Sequence, residues 1–396
     1  MPGFELFGDK ERESVQKALE TGVLMRYGFD AMRGGRWMAS DLESALAKRM
    51  NTEYAHLVSS GTAALTVALA SAGVGAGDEV IVPTFTFVAS FEAVLALGAI
   101  PVLCDIDDTL TLDPEAVRRA ITARTKVIMP VHMCGSMADL GALKTIADEY
   151  GLLLLEDACQ AIGGTYNGQP LGTIGEVGCF SFDYVKTITC GEGGALVTRS
   201  RDLYEKAQAF SDHGHDHIGS DRGAEGHPHL GFNFRISELN AAVGLAQLAR
   251  LDEFLDKQKA HYARLRQAIS GLPGVEFRRV PEGGVENYSF LNFFLSDETT
   301  ARRARQALLA AGVDGVFYWY DNNWHYHRRW DHFKELRSLY RFPELIRERL
   351  VSINGRDFAA SDHWMGRNLS LLVKLGWDGQ ELEARAQAMA RALSSL

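Results

Sequence analysis

The prediction of the fold rests on Cys179-Phe-Ser-Phe-Asp-Tyr-Val-Lys186-Thr-Ile-Thr-Cys-Gly191-Glu-Gly-Gly194, in which an apolar run leads to a lysine and then to a glycine-rich turn. A lysine amine held beside apolar groups is more readily neutral, because burial disfavours its charged form. A neutral amine can form a Schiff base with an aldehyde, so Lys186 is a candidate for covalent catalysis. Most lysines lie in solvent, and this stretch needs support from elsewhere in the chain.

A second informative stretch lies upstream, Gly151-Leu-Leu-Leu-Leu-Glu-Asp157-Ala-Cys-Gln160. Its run of leucines predicts a strand that is buried on both faces, as in a parallel sheet. Because ligands bind at the carboxyl ends of such strands, Asp157 is expected at a ligand crevice. A carboxylate there can pair with a protonated pyridine nitrogen, although an aspartate after a strand is also a common helix N-cap.

A third stretch, Ser59-Ser-Gly61-Thr62-Ala-Ala-Leu65, predicts a tight turn that opens a helix. The backbone N–H groups and the dipole at such a helix start favour a phosphate, while the simpler interpretation is an ordinary N-cap. A lysine amine, a carboxylate for a pyridine nitrogen and a phosphate-binding turn together match the functional groups of pyridoxal 5′-phosphate (PLP).

With these three stretches in this order, the sequence resembles the fold-type I PLP enzymes and, more narrowly, the DegT/DnrJ/EryC1/StrS family of sugar aminotransferases. The matching segments are Ser60–Leu65, Gly77–Ala89, Glu156–Gln160, Phe180–Phe182 with Lys186 and Gly191–Gly194, and Gly231–Glu238. The resemblance implies an α/β fold, in which a large domain holds a mostly parallel seven-stranded sheet and a smaller α+β domain follows at the C-terminal end.

The resemblance also implies roles for individual residues. Lys186 is the Schiff-base lysine, Asp157 is the partner of the pyridine nitrogen, and Gln160 lies near the phenolic oxygen of PLP. The further cofactor contacts are Gly61, Thr62 and Ser181 for the phosphate, Phe87 for the ring, and Asn233 for the phosphate of the neighbouring subunit. The last contact implies a homodimer with shared active sites. Some family members replace the lysine by histidine and act as sugar dehydratases, so the retained Lys186 favours amino transfer.

The composition is typical of a globular protein with room for two domains. The chain has 396 residues, 46% hydrophobic and 23% charged, and its formal net charge of -10 argues against a nucleic-acid or anionic-membrane partner. Its five cysteines are scattered and form no CxxC pair, which indicates reduced thiols. Residues 1–8 lack the basic and apolar regions of a signal peptide, so a cytoplasmic location is expected.

Strand–turn–helix units repeat from Tyr54 to the leucine strand, and they predict a largely parallel sheet with helices on both faces. One long amphipathic helix is predicted over Ser237–Asp256. Alternating apolar residues in Val275–Val280 and Asn287–Ser296 then indicate the strands of a smaller sheet. The predicted domains are therefore 1–256, which binds PLP and includes an N-terminal active-site segment, and 257–396.

Two further stretches are rich in polar or aromatic side chains. Ser211–Gly219 holds His213, His215 and His217 among aspartates, a composition that occurs in zinc loops. PLP chemistry needs no metal, so we predict none, and we expect a polar loop that faces substrate or bridges subunits. Gly315–Trp330 is the most aromatic stretch, and it suits a sugar face or a core. Such rings can also stack on the bases of single-stranded nucleic acid, but the negative net charge of the chain argues against this function.

Segments outside the cofactor motifs resemble the branch of the family that makes 8-amino-3,8-dideoxy-manno-octulosonate (Kdo8N). They are Met1–Gly8, Val131–Met137, Ser211–Gly219 and Tyr318–Tyr326. This resemblance implies L-glutamate as the amino donor and the 8-oxo form of Kdo, an acidic lipopolysaccharide sugar, as the acceptor. The candidate substrate residues are Arg26, Tyr27 and His325, and Arg33 and Arg36 are further basic side chains that suit an acidic acceptor.

Two alternatives to this function stay open. The first is an aminotransferase that acts on a nucleotide-linked keto-sugar. The second belongs to another class, a non-catalytic PLP-binding regulatory protein. The intact set of Lys186, Asp157 and Gln160 argues against the regulatory protein, as does the lack of any appended DNA-binding segment.

Overall fold

The computed structural model of the chain describes residues 3–218, 223–224 and 226–396. In this part the strands are β1 (Tyr54–Val58), β2 (Glu79–Pro83), β3 (Ile100–Cys104), β4 (Thr125–Ile128), β5 (Leu153–Asp157), β6 (Thr165–Tyr166), β7 (Gln169–Pro170), β8 (Val177–Ser181), β9 (Gly194–Thr198), β10 (Glu276–Phe277), β11 (Gly284–Val285), β12 (Phe290–Phe294), β13 (Val316–Phe317) and β14 (Asn368–Leu372). The α-helices are α1 (Asp9–Thr21), α2 (Met38–Met50), α3 (Gly61–Ser71), α4 (Ala89–Ala96), α5 (Pro114–Ala120), α6 (Leu140–Tyr150), α7 (Arg201–Ser211), α8 (Glu238–Leu248), α9 (Leu251–Ile269), α10 (Glu298–Ala310), α11 (Asp331–Lys334), α12 (Glu344–Asn354), α13 (Ala359–Arg367) and α14 (Gly379–Ser394).

The large sheet has seven strands in the order β1-β9-β8-β5-β4-β2-β3. The pairs from β3 across to β8 are parallel, and β9 alone runs antiparallel to both of its neighbours. The leucine strand, β5, lies at the centre, where Leu154 and Leu155 are fully buried. A strand that is covered on both faces needs apolar side chains at consecutive positions, which is why its sequence does not alternate. The predicted mostly parallel, seven-stranded sheet is confirmed.

A second sheet of four antiparallel strands, in the order β10-β12-β14-β13, forms the predicted smaller α+β unit. Helices α9, α10 and α14 pack together beside it. Strand β14 has no counterpart among the elements predicted from the sequence, although it pairs with two strands of this sheet. A third, small sheet has the order β11-β6-β7.

The prediction of one helix over Ser237–Asp256 is wrong. Helix α8 ends at Leu248 and α9 begins at Leu251, and between them Arg250 has φ -108° and ψ 4°, outside the helical region. The two helices have different packing partners, since α8 contacts α1 and α2 whereas α9 contacts α14. Residue 256 lies within α9, and the division into domains at that residue stays a prediction.

The chain returns to the large sheet after α10. Trp330, Phe333, Ile346 and Leu350 are buried in the same apolar core as the strands β2, β3 and β4. This return brings Trp324 and His325 next to the end of β2, where their carbonyl groups accept hydrogen bonds from the N–H groups of Val88 and Thr86.

The described ranges contain no helix with the length and apolar character needed to cross a membrane. Within the same ranges, no group of three or more histidine, cysteine or acidic side chains is arranged to hold a metal ion. The five cysteines are free thiols.

Candidate active site

A cavity of about 240 Å³ lies beside the carboxyl ends of the strands β1, β2, β5 and β8. Its wall includes these residues predicted from the sequence: Gly61, Thr62, Phe87, Asp157, Gln160, Ser181, Lys186 and His325. The other lining residues are Ser60, Leu65, Ala89, Ser90, Val131, Met133, Cys159, Asp183, Val185 and Glu192. Because parallel strands end at one edge of a sheet, side chains that are far apart in the sequence meet here.

One end of the cavity is the start of helix α3. The Ser60 hydroxyl caps this helix by accepting a hydrogen bond from the Ala63 N–H at 3.0 Å. The N–H groups of the first turn have no partner within a helix, so those of Gly61 and Thr62 suit an anion. A Cβ at Gly61 would lie 2.7 Å from the Cβ of Ser181. Glycine therefore lets the helix start approach the Ser181 hydroxyl. The N-cap interpretation is confirmed, and the phosphate interpretation stays a prediction.

Asp157, at the end of β5, is 4% exposed and is held by two hydrogen bonds. The Ser90 hydroxyl donates to Oδ2 at 2.8 Å, and the Cys159 N–H donates to Oδ1 at 3.2 Å. The Ser90 hydroxyl is itself 2.6 Å from the hydroxyl of Thr86. No helix of the described structure begins at Asp157, so its carboxylate is fixed at the cavity wall instead of capping a helix.

Gln160 has a defined orientation at the same wall. Its Oε1 atom accepts a hydrogen bond from the Cys134 N–H at 2.9 Å. Since the amide oxygen is engaged there, the NH₂ group is the part of Gln160 that remains as a donor for a ligand.

His325 faces the same cavity as Lys186. Asn322 Oδ1 accepts a hydrogen bond from the Trp324 N–H at 2.9 Å and lies 2.9 Å from His325 Nδ1. An oxygen that accepts at this site requires the proton to be on Nδ1, which leaves Nε2 as an acceptor. Burial, together with the positive charge of Lys186, lowers the pKa of His325 to about 3. The imidazole is therefore neutral near pH 7.

The aromatic stretch serves mainly as core. Tyr326 and Trp330 are fully buried, whereas Trp324 is 55% exposed. The Trp324 ring stacks on Phe87, with centroids 5.5 Å apart and an interplanar angle of 16°. The backbone joins these segments as well, because the Val88 N–H donates to the Trp324 carbonyl at 2.9 Å. Phe87, the ring expected to stack on PLP, is thus held in place by the chain's C-terminal part.

Three predicted site residues lie outside the lining of this cavity. Asn233 is exposed, and its Oδ1 accepts a hydrogen bond from the Arg235 N–H at 3.2 Å. Arg26 is largely buried in an ion pair with Glu43. Tyr27 contacts the ring of His217 at a centroid distance of 4.8 Å. Their roles toward a ligand stay predictions.

The other basic candidates are also committed to carboxylates of the chain. Arg33 is fully buried, 3.5 Å from Glu238, and Arg36 forms an ion pair with Glu20. Neither arginine lines the cavity. Their positive charge is compensated within the chain, so these two residues give no support to the expectation of an acidic acceptor.

Ser90 is the functional residue that the sequence does not reveal. It touches Asp157, yet it lies on a different segment, after β2, and strand β4 separates β2 from β5 in the sheet. A local signal exists only in the segment Thr84–Ala89, which precedes it and matches the family. Glu192 also lines the cavity and lies outside the set of site residues predicted from the sequence.

The model of the DegT/DnrJ/EryC1/StrS aminotransferase family matches residues 8–353. The chain belongs to this family. It is 40% identical over 284 residues to the 3-amino-5-hydroxybenzoate synthase of Amycolatopsis mediterranei (strain S699), which corresponds to 72% of this chain and 70% of that protein. The family resemblance inferred from the sequence is confirmed.

Solved structures agree with this membership. The crystal structure of 3-amino-5-hydroxybenzoic acid synthase has a TM-score of 0.81 and 31% identity, over 98% of this chain and 97% of that chain. The aminotransferase from Psychrobacter cryohalolentis has a TM-score of 0.84 and 26% identity, over 98% of each chain. The protein is therefore a PLP-dependent aminotransferase with the fold-type I architecture.

The residues of the cavity fit PLP. The start of α3 and the Ser181 hydroxyl offer hydrogen-bond donors for a phosphate, and the buried carboxylate of Asp157 offers a partner for a pyridinium N–H. The Phe87 ring offers an apolar face for a flat heterocycle. Lys186 supplies the amine that an aldehyde requires.

Proposed function

We propose that the protein transfers an amino group from L-glutamate to 8-oxo-Kdo, an acidic oxo-sugar, and so makes Kdo8N. The observation that supports amino transfer most directly is the meeting of Lys186, Asp157 and a phosphate-binding helix start in one cavity. The choice of acceptor is supported by the segments outside the cofactor motifs that resemble the Kdo8N branch of the family.

Each residue of the cavity has a role in this proposal. PLP, when bound, would supply an electron-withdrawing ring and an aldehyde carbon that takes up the amino group of the donor and gives it to the acceptor. Lys186 Nζ holds the cofactor and moves a proton to and from the reacting carbon. Asp157 keeps a positive charge on the ring nitrogen by pairing with its proton. The neutral His325 offers Nε2 to a donor such as a substrate hydroxyl.

A second acceptor class has its own support. The relative at 40% identity is a 3-amino-5-hydroxybenzoate synthase, and the product in that name is a cyclic amino acid and not a sugar. A cyclic oxo-acid is therefore the second candidate acceptor. A nucleotide-linked keto-sugar is the third, and it follows from the family alone.

Nitrogen transfer from ¹⁵N-labelled L-glutamate to a panel of acceptors tests the proposal. The panel contains 8-oxo-Kdo, a cyclic oxo-acid and a nucleotide-linked keto-sugar, and mass spectrometry of the products measures the label. We expect labelled Kdo8N as the main product. Labelling of another acceptor at a higher kcat/KM would contradict the choice of sugar, and no reaction with glutamate at all would contradict the choice of amino donor. Lys186→Ala provides the background.

We also propose that this reaction takes place in the cytoplasm. The five cysteines are free thiols, and four of them are buried. Burial raises the pKa of Cys134 to about 11 and that of Cys190 to about 12, so both remain protonated and unreactive. Free thiols of this kind are typical of reducing compartments.

We further propose a homodimer in which each active site uses residues of both chains. Asn233 supports this assembly, because its exposed side chain lies outside the cavity of its own chain. Its backbone pairs with Asp212, which fixes the loop that presents it. In a two-fold dimer the same loop serves the partner's site once in each direction.

Mixing two inactive variants tests the shared site. Lys186→Ala chains and Asn233→Ala chains are expected to regain activity together, because one site of each mixed dimer then carries both changes and the other carries neither. Random pairing gives a recovery of up to about one quarter of the wild-type activity. Mass spectrometry verifies the mixed dimers. Mixed dimers without recovered activity would show that Asn233 acts in its own chain's site or in none.

A further inference from the structure

We propose that the N-terminal segment Gly3–Leu6 positions Lys186 by holding the backbone of the loop that carries it. We call this segment the strap. This inference rests on the proposed role of Lys186 in holding PLP. The segment forms a short 3-10 helix, and the Gly3 N–H donates a hydrogen bond to the Lys186 carbonyl oxygen at 3.0 Å. A hydrogen bond to this carbonyl restrains the plane of the peptide that follows Lys186, and with it the backbone from which the lysine side chain starts.

Gly3 fits because it has no side chain. It is buried, and a Cβ at this position would lie 2.6 Å from the Thr187 carbonyl oxygen and would overlap Gln247 Oε1. The Thr187 oxygen is backbone and cannot turn away as a flexible side chain does. Glycine is therefore the residue that lets the strap lie directly on the backbone next to Lys186.

Gln247 ties the strap to the same loop from a second side. Its Nε2 donates to the Gly3 carbonyl at 3.5 Å, and its Oε1 accepts from the Thr189 N–H at 3.4 Å. The residue is fully buried, so the amide has no competing water. The loop is thus bound to the strap at Lys186 and, through Gln247, at Thr189.

The third contact between the strap and the loop of Lys186 is a pair of stacked aromatic rings. The Phe4 ring lies on Tyr184, two residues before Lys186, with centroids 4.3 Å apart and an interplanar angle of 7°. Stacked aromatic rings attract each other beyond what the apolar area that they bury contributes. The stack therefore restrains the part of the loop that precedes Lys186.

The strap is itself anchored to rigid parts of the structure. Glu5 accepts hydrogen bonds from the N–H groups of Leu375 and Gly376, both at 2.7 Å. Arg250 donates to the Leu6 carbonyl at 2.7 Å. These bonds join the strap to the segment after β14 and to the start of α9.

The loop that carries Lys186 needs such support. Residues 182–193 connect β8 to β9 and contain no helix or strand, apart from one isolated bridge between Asp183 and Gly191. A displacement of about 1 Å in a catalytic group can cost on the order of a hundredfold in rate. The strap supplies the restraint that regular secondary structure does not supply here, so Gly3 and Phe4 are positioning residues.

Phe4→Ala in the full PLP-loaded protein tests the proposal. We expect the pH midpoint of the visible absorption of the lysine-bound cofactor to shift by about half a unit or more, because the amine loses its fixed surroundings. The glutamate half-reaction should slow about tenfold, with the KM for glutamate changed less than kcat. Phe4→Tyr keeps a ring that can stack and should restore both values.

Phe7→Ala is the matched control, since Phe7 follows the strap and is 43% exposed. It should leave the midpoint and the half-reaction unchanged. Gly3→Ala should change the midpoint and the rate more than Phe4→Ala does. If Gly3→Ala does not fold, the comparison of Phe4→Ala with Phe4→Tyr tests the proposal. If Phe4→Ala lowers the unfolding temperature but leaves the pH midpoint of the absorption and the rate of the half-reaction unchanged, the strap does not position Lys186. A reducible PLP adduct that survives in Lys186→Ala would instead overturn the role of Lys186.

Discussion

Replacing Lys186 by alanine is expected to lower the rate of amino transfer by about a thousandfold or more. Among the described residues that line the cavity, Lys186 supplies the one amine. Without it, the protein loses both the group that holds the aldehyde of PLP and the group that moves the proton at the reacting carbon. The visible absorption of the lysine-bound cofactor and the adduct fixed by borohydride should both disappear.

Two measurements make this result specific. Borohydride reduction followed by peptide mapping should find PLP on the peptide that contains Lys186 in the wild type and on no peptide in the variant. Lys206→Ala is a suitable control, because Lys206 pairs with Asp202 on the surface of α7, away from the cavity. It should keep both the adduct and the activity. An adduct of full strength in Lys186→Ala would contradict the assignment.

The parts of the site that the sequence predicts are those with a local signal. Asp157 ends a strand that is apolar at consecutive positions, and Gly61 opens a helix after another strand. A parallel sheet places the carboxyl ends of its strands along one edge, so a correct prediction of two strands also predicts that these residues meet. The largely parallel character of the large sheet follows from the same strand–turn–helix alternation, whereas its seven strands are implied by the family resemblance.

The parts that the sequence does not predict depend on contacts between distant segments. Arg26 has no local feature that reveals its buried pairing with Glu43, and Ser90 has none that reveals its bond to Asp157. The break between α8 and α9 is similar, because the apolar pattern continues across it while the packing partners change. Tertiary contacts decide these features, and local propensity is a weak guide where they do.

The structure also changes what the motif Met1–Gly8 is expected to mean. From the sequence, this segment indicates only a branch of the family. In the structure its residues Gly3 and Phe4 contact the loop of Lys186, as a hydrogen-bond donor and a stacked ring. A segment that looks informative about substrate can therefore act on the position of the catalytic amine.

Asp157→Asn is expected to retain PLP but to lower the rate of the glutamate half-reaction by about a hundredfold or more, the size of effect seen when one preorganised electrostatic partner is removed. The carboxylate stabilises a proton on the ring nitrogen, and a neutral amide does not. The protonated ring withdraws electrons from the reacting carbon more strongly, so the loss should appear in kcat more than in the KM for glutamate.

The hydrogen bonds around Asp157 allow this variant to test charge with little change in structure. In the wild type, Oδ1 accepts from the Cys159 N–H and Oδ2 accepts from the Ser90 hydroxyl. An asparagine at this position can accept from Cys159 with its oxygen and donate to Ser90 with its NH₂ group, because a hydroxyl can also accept. The Ser90 proton can then turn to the hydroxyl of Thr86, which is 2.6 Å away. No buried polar group of this set is left without a partner.

Ser90→Ala is the matched control for Asp157→Asn, because it removes one hydrogen bond to Asp157 and keeps the negative charge. Its loss should be about tenfold, near the lower end of the roughly 1.5–3 kcal/mol that a hydrogen bond to a charged group contributes. Stopped-flow measurement of the half-reaction, with PLP content determined on the same samples, separates rate from cofactor loss. If Asp157→Asn binds a full complement of PLP and its half-reaction runs near the wild-type rate, the charge of Asp157 is not what activates the ring. If Ser90→Ala loses more rate than Asp157→Asn, the position of the carboxylate matters more than its charge.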